Sequence, residues 1–325
     1  MIAYLLRRLL YAIPILIGVN LLTFTLFFVV NTPEDMARLH LGVKRVTPSA
    51  IENWKAEHGY NKPLLINPQA HGVAQLTHTI FFEHSAAMFA FQFGKSDDGR
   101  DIGNEIRNRM GPSLAIALPV FVIGLAVNIT FALLMVFFRA SYLDLGGVVL
   151  CVVLMSISGL FYIIAGQFFI AKLWNLLPIS GFAGGMDGLK FILLPVLVSI
   201  VAGIGSGARW YRTIFLEEIG KDYVRTARAK GLAEARVLFR HVLKNGMIPI
   251  LTGVVVVLPL LFMGSLITES FFGIPGLGSY TIDAIQAQDF AIVRAMVFLG
   301  SFLYIVGLIL TDMTYSWADP RVRLQ

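Results

Sequence analysis

The sequence predicts an all-α membrane protein: six transmembrane helices with both termini on the cytoplasmic side. Three observations predict it. Of 325 residues, 57% are hydrophobic and only 14% charged, and mean hydropathy is +0.75, more apolar side chain than a soluble domain can bury. Apolar runs long enough to cross a bilayer recur along the chain, separated by polar connections of which two are long, 31–110 and 212–246. Basic residues gather at the ends and in alternate connections (Arg7, Arg8, Arg139, the 212–246 stretch, Arg321, Arg323), which assigns those to the cytoplasmic face.

The net charge of +6 therefore reports loops on one side of a membrane and not nucleic-acid binding. The one cysteine, Cys151, lies in an apolar run and cannot form a disulfide within the chain. It reads as a small buried hydrophobe.

Residues 1–30 form the N-terminal segment and first span. Residues 9–30 are almost wholly apolar, and 22 helical residues reach about 33 Å. The run is longer than a signal-peptide core, and Phe28-Val29-Val30-Asn31-Thr32-Pro33 is a poor cleavage site, so an uncleaved helix is expected.

Residues 31–110 form an extracytoplasmic segment. Thr47-Pro48-Ser49 starts a helix, capped by Thr47 or Ser49 and running to about His58, with a turn at 59–63. A second helix is expected within 66–94, its Phe81, Phe82, Met88, Phe89, Phe91 and Phe93 packing onto the membrane domain. His40, His58, His71, His78 and His84 all lie in this segment. His71 and His78 could share a helix face, but their spacing is not that of a metal-binding pair, and they read as loop histidines. Gly94-Lys95-Ser96 fails as a phosphate loop because Phe89 stands where its first glycine belongs. No catalytic, cofactor or metal residues are expected anywhere in the chain.

Residues 111–325 form a five-helix core. The second span begins at Gly111-Pro112-Ser113 and runs 113–138; Arg139–Asp144 is a cytoplasmic turn. The third runs 146–172, any kink resting on Ser156-Ile157-Ser158-Gly159. The fourth, 189–210, carries Gly203 and Gly207, whose spacing admits a close helix, either of this subunit or of a second one. The fifth runs 247–268 and the sixth 291–316. Between them Gly273, Pro275, Gly276 and Gly278 forbid a continuous helix, and a short helix follows at 279–287.

The remaining stretch, 217–252, is the charged one. With Arg209 and Arg212 just upstream it carries Lys221, Arg225, Arg228, Lys230, Arg236, Arg240 and Lys244 against Glu217, Glu218, Asp222 and Glu234. Its composition favours helix, and Gly231 divides it into two short helices. In the second, Ala235, Leu238, Phe239 and Val242 make an apolar stripe. A basic helix lying on the membrane surface accounts for the charge. It does not account for the small residues Ala227, Ala229 and Gly231, which suit close approach by a cytoplasmic partner.

Asp222-Tyr223-Val224-Arg225-Thr226-Ala227-Arg228-Ala229-Lys230-Gly231 closely resembles the cytoplasmic coupling loop of ABC importer permeases, in the form used by the first permease subunit of the oligopeptide, dipeptide and nickel importers. Against the general Glu-Ala-Ala, three residues, Gly pattern, only Ala227 and Gly231 match. Tyr4–Leu10, Trp54–Leu64, Leu177–Phe182, the Glu269–Gly278 segment with Phe271 and Phe272, and Asp319–Arg323 resemble the same family. Asn31–Asp35 departs from its Pro-Gly-Asp-Pro, Ser156–Gly159 lacks its proline, and 66–94 matches less well.

The resemblance implies a type I ABC importer architecture in a bacterial cytoplasmic (inner) membrane, moving peptides or a similar solute inward by alternating access. It implies a second homologous permease, one or two ATP-binding subunits that hold the ATP and Mg, an extracytoplasmic solute-binding protein and surrounding lipid as partners. ATPase coupling would fall to Asp222, Tyr223, Arg225, Thr226, Ala227, Arg228, Ala229, Lys230 and Gly231, those around 227–231 sitting in the partner's cleft. Glu269, Phe271, Phe272, Pro275, Gly276 and Gly278 would form a periplasmic gate or meet the binding protein. Two other classes fit the residues without the resemblance. An ion-gradient transporter would carry charges at mid-membrane, whereas Lys172, Glu269 and Asp312 fall near span ends; a non-transporting scaffold would use the basic loop for recruitment alone.

Overall fold

The computed structural model describes residues 2–42 and 47–318, helical throughout apart from turns and one isolated bridge between Lys95 and Asp101. Asp319–Arg323, with the two terminal arginines, lie outside the described residues. Among the described residues five helices are long and apolar enough to cross a membrane: Arg7–Val30, Ile102–Phe137, Leu189–Ile219, Glu234–Met263 and Phe290–Thr314. A bent pair, Tyr142–Ser156 with Gly159–Leu173, makes the sixth if it counts as one span. The chain groups into two compact units, 1–107 with 283–305, and 108–282 with 306–325.

In the first unit, α1 (Ile2–Phe24) continues through a wider turn to Val30. A helix that was not expected follows, α2 (Pro33–Leu41). Its start was legible: Thr32 and Asp35 form a reciprocal capping box, with Asp35 N–H on Thr32 Oγ1 at 3.2 Å and Thr32 N–H on Asp35 Oδ2 at 3.1 Å. The next helix, α3 (Pro48–Glu57), is capped by Thr47, whose hydroxyl accepts from Ala50 N–H. After α4 (Ala74–Thr77) comes α5 (Ile80–Phe89), the second helix expected in 66–94.

These helices bury Met36, Ile51, Trp54, Tyr60 and Ile80 against Phe24 and Phe28 at the end of the first span. Phe81 meets Phe24 at 5.1 Å, while Phe89, Phe91 and Phe93 surround Phe298. Phe82, Phe89 and Phe91 nonetheless stay 44%, 38% and 46% exposed. His71 and His78 share no helix: His71 precedes α4 and His78 ends it.

The span containing Pro112 begins earlier than expected. The helix α6 (Ile102–Phe137) runs unbroken through Pro112 and Pro119. Each proline costs one amide bond, a local loss that the adjoining turns of a long helix outweigh. The third span is the reverse case. Helices α7 (Tyr142–Ser156) and α8 (Gly159–Gly166, continued by a wide turn to Leu173) meet at 88°, a break and not a kink. Ile157 is extended there, and the Tyr162 hydroxyl donates to Leu154 O at 2.9 Å, satisfying a carbonyl that the break leaves free.

The fourth span, α9 (Leu189–Ile219), runs past the expected end at 210. Of its paired glycines only Gly207 lies against this subunit, where a Cβ would stand 2.6 Å from the Asn128 amide; around Gly203 the space is open. A close helix approach is at Gly205, where a Cβ would stand 2.6 Å from Cys151 O, and Cys151 is fully buried.

Candidate functional site

Two regions hold the residues singled out in the sequence, both in the second unit. The first follows α9. After a turn at Gly220 and Lys221, α10 (Asp222–Ala229) forms, and Gly231 ends it at φ +77, a left-handed conformation that favours glycine. Gly231 N–H returns to Arg228 O at 2.9 Å. The chain then re-enters helix at α11 (Glu234–Val237), passes through a wide turn at 238–242 and continues as α12 (Leu243–Val257).

The expected second surface helix is therefore the start of the fifth span. Its apolar face also differs from the expected stripe. Val237, Leu238 and Val242 are buried, but Ala235 and Phe239 face outward. The wide turn rotates the face relative to a regular 3.6-residue period, so the i, i+3, i+4 count misplaces it.

The α10 helix has two faces. Val224 and Ala227 enter a core with Phe215, Val237, Leu238 and Val242. Asp222, Arg225, Thr226, Ala229, Lys230 and Gly231 are exposed, and Tyr223 and Arg228 are half-buried. Ala227 thus does not sit on the surface expected for it: it is small because it packs against this chain's own fifth span. The outward small residues are Ala229 and Gly231.

Polar contacts that sequence spacing mostly did not indicate tie this helix down. Glu234 accepts from Arg228 Nε and Nη2 at 3.0 and 2.7 Å, and from Arg139 Nη1 at 2.9 Å. One carboxylate thereby joins α10, the head of α11 and the turn after α6. Asp144 on α7 accepts both forks of Arg212 on α9, at 2.9 and 2.8 Å. Buried Glu218 accepts from Lys221 Nζ and the Tyr223 hydroxyl. Burial and the hydrogen bond to Glu218 push the Tyr223 phenol up to about 12. Only Lys221–Glu218, at i, i+3, lies at a spacing that flags a helix pair; the others do not.

The second region follows α12. A tight turn at 259–263 ends in Gly264, then α13 (Leu266–Phe272), a left-handed Gly273, Pro275, and α14 (Leu277–Ala287). Glu269 and Phe272 were expected outside regular helix and lie in α13, because the helix-breaking glycines begin only at Gly273. Glu269 is 1% exposed. Its oxygens accept from Ser265 N–H at 3.2 Å and Ser279 N–H at 3.1 Å. Ser113 of α6 joins them and accepts from Leu277 N–H at 2.8 Å.

The glycines here are small because the carboxylate is close. A Cβ on Gly264 would stand 1.9 Å from Glu269 Oε1, and one on Gly276 2.2 Å from Oε2. Burial raises the Glu269 carboxyl above its usual range, and the bonds from Ser113, Ser279, Ser265 and Gly278 oppose that rise. Of the six residues expected at the gate, Glu269, Phe272, Gly276 and Gly278 are buried, which leaves Phe271 and Pro275 facing outward. Beside it is a cavity of about 590 Å³ whose lining includes Ser113, Phe121, Ser158, Ser199 and Thr268.

Residues 113–324 match the family model described as the binding-protein-dependent transport system inner membrane component. Residues 1–117 match the model for the N-terminal part of such membrane components. This chain belongs to that family of ABC importer permease subunits. It is 31% identical over 329 residues to a putative peptide transport system permease protein of Brucella abortus, with 99% of each chain covered. It is 29% identical over 351 residues to the dipeptide transport system permease protein of Escherichia coli K12, and 27% over 330 residues to the oligopeptide transport system permease protein of Bacillus subtilis 168, again with 99% of each chain covered. The permease is thus a multi-pass membrane component of the importer fold and is not itself the catalytic subunit.

Proposed function

We propose that this permease carries peptides into the cytoplasm across a bacterial inner membrane, with ATP-binding partner subunits gripping the exposed face of α10. The observation that carries the reading is the two-faced construction of that helix. Its outer face is polar with a small patch at Ala229 and Gly231. Its inner face is fused through Val224 and Ala227 to the base of the fourth and fifth spans. The Glu234 bridge extends the connection to the second span. A push on α10 therefore moves three spans together, as alternating access requires.

In this reading 31–110 faces outward and receives a solute-binding protein, and a second permease completes the pathway. ATP and Mg are held by the partners. The hydroxyl-bearing cavity beside Glu269 forms part of the pathway wall in this subunit, and the Glu269-pinned turn holds its outer end.

The test uses Ala229→Glu and Gly231→Asp. Ala229 is exposed and helical, so glutamate there strains nothing in the chain itself. Both variants are expected to reach the membrane in normal amount, to lose uptake of labelled dialanine, and to lose the P-loop ATPases that co-purify with the wild type. Normal uptake by Ala229→Glu sinks the docking assignment. Uptake that persists without ATPases and collapses with the proton gradient would favour an ion-driven transporter.

A further inference from the structure

Arg294 stands one turn into the last span's helix, α15 (Phe290–Ala318), and is 6% exposed. A buried guanidinium ordinarily has a carboxylate partner. This one forms no ion pair among the described residues, and its Nε has no hydrogen-bond acceptor. It lies over the Phe28 ring at 4.8 Å and donates a hydrogen bond to the Tyr60 hydroxyl, with His84 nearby. His84 supplies no compensating charge of either sign: burial, Arg294 and Lys62 hold its imidazole neutral, at about 3.

Arg294 lines a cavity of about 370 Å³ in the first unit, whose polar lining includes Glu57, His58, Tyr60, His84, Lys95 and Asp97. Asp97 is not its counter-ion. The groups around that carboxylate are Asp289, His40 at 3.6 Å, His58 at 3.7 Å and Asp98. The cavity therefore holds a buried cation with no carboxylate partner among the described residues and, separately, carboxylates that are free of it. Gln92 and Lys95 are exposed at its rim.

We propose that this cavity binds a small zwitterion, a free amino acid or a short peptide, with its carboxylate on the Arg294 fork and its ammonium toward Asp97. A planar carboxylate matches the guanidinium's parallel donors, and Tyr60 and neutral His84 add donors beside it. A phosphate dianion fits poorly next to Asp97 and Glu57. The peptide form of the ligand rests on the proposed transport function; the binding itself does not, because it is measured on the permease alone.

The full chain is purified in detergent, and its thermal midpoint is followed with L-alanyl-L-alanine, its C-terminal amide, its N-acetyl form, L-alanine, acetate and chloride. Dialanine is expected to raise the midpoint, and the amide and N-acetyl forms to act about 10- to 100-fold more weakly. Arg294→Met is expected to abolish discrimination between acid and amide, and Asp97→Asn that between free and acetylated amine. Arg294→Lys, which keeps the charge and loses the fork, answers for any loss of folding in the methionine variant and is expected to weaken binding of the acid. L-Alanine as strong as dialanine makes the ligand a free amino acid. Equal responses to chloride and dialanine, equal responses to acid and amide, or an unchanged dialanine response in Arg294→Met each overturn the site. If transport fails its own test while dialanine still binds, the two proposals separate.

Discussion

At the scale of single residues, the strongest constraints surround Glu269. One buried carboxylate gathers the backbone N–H groups of Ser265, Ser279 and Gly278 together with Ser113, and Gly264 and Gly276 have no side chain because that carboxylate occupies the space. Replacing Glu269 with alanine strands those donors and is expected to cost about 2–4 kcal/mol. Gly276→Ala forces a methyl into the carboxylate and is expected to cost about 1–3 kcal/mol. Thermal unfolding of the detergent-purified chain reads both; a midpoint unchanged in Glu269→Ala would remove the carboxylate's role as the pin. Ala227→Glu belongs at this scale too. It places a charge in the core shared with Phe215 and Val242, so reduced yield of folded protein is expected, and it is a poor probe of docking.

At the scale of elements, α10 and the head of the fifth span act as one body. The apolar core between them supplies most of the holding energy, and Glu234 supplies alignment. Its two arginine pairs are about a third exposed, with side-chain accessibilities of 35% and 32% for Arg139 and Arg228. Water screens such pairs to roughly 0.5–1 kcal/mol each. Glu234→Ala is therefore expected to shift thermal stability little and to lower uptake severalfold, with the ATPases still bound. Loss of uptake in step with loss of folded protein would instead make Glu234 an ordinary stabilising residue. The 88° break between α7 and α8 is the other element-scale feature. The Tyr162 hydroxyl caps a carbonyl there, and Tyr162→Phe leaves that carbonyl without its partner.

At the scale of the whole molecule, orientation decides whether α10 can meet an ATPase at all. Cysteines report it cleanly, because the native Cys151 is fully buried. A cysteine at Lys62, whose side chain is 41% exposed, is expected to react with a membrane-impermeant maleimide in intact cells. A cysteine at Arg225, 74% exposed, is expected to react only after permeabilisation. The opposite pattern places α10 outside and ends the docking proposal.

The sequence by itself determined the helical membrane class, the order of the apolar helices along the chain and the family, and its charge bias predicts which side is cytoplasmic. Hydropathy over a window, charge bias between loops and a contiguous motif are all local quantities, and each survives without knowledge of packing. Thr32–Asp35 shows that even one overlooked helix start was written locally. What only the tertiary structure decided was which face each residue shows and which residues meet. Ala227 and Ala229, two residues apart, take opposite faces of α10, and packing against Phe215, Val237 and Val242 decides that Ala227 is core and Ala229 surface. Pro112 reads as a start and lies inside a helix, because the cost of one missing bond is small beside a span's burial. Glu269 reads as a loop acid and is buried, because its partners come from positions as distant as Ser113. Nothing in the sequence singles out Arg294, and only the folded chain shows it enclosed without a carboxylate among the described residues. Contacts between distant residues are set by packing and desolvation, and neither has a period that a sequence displays.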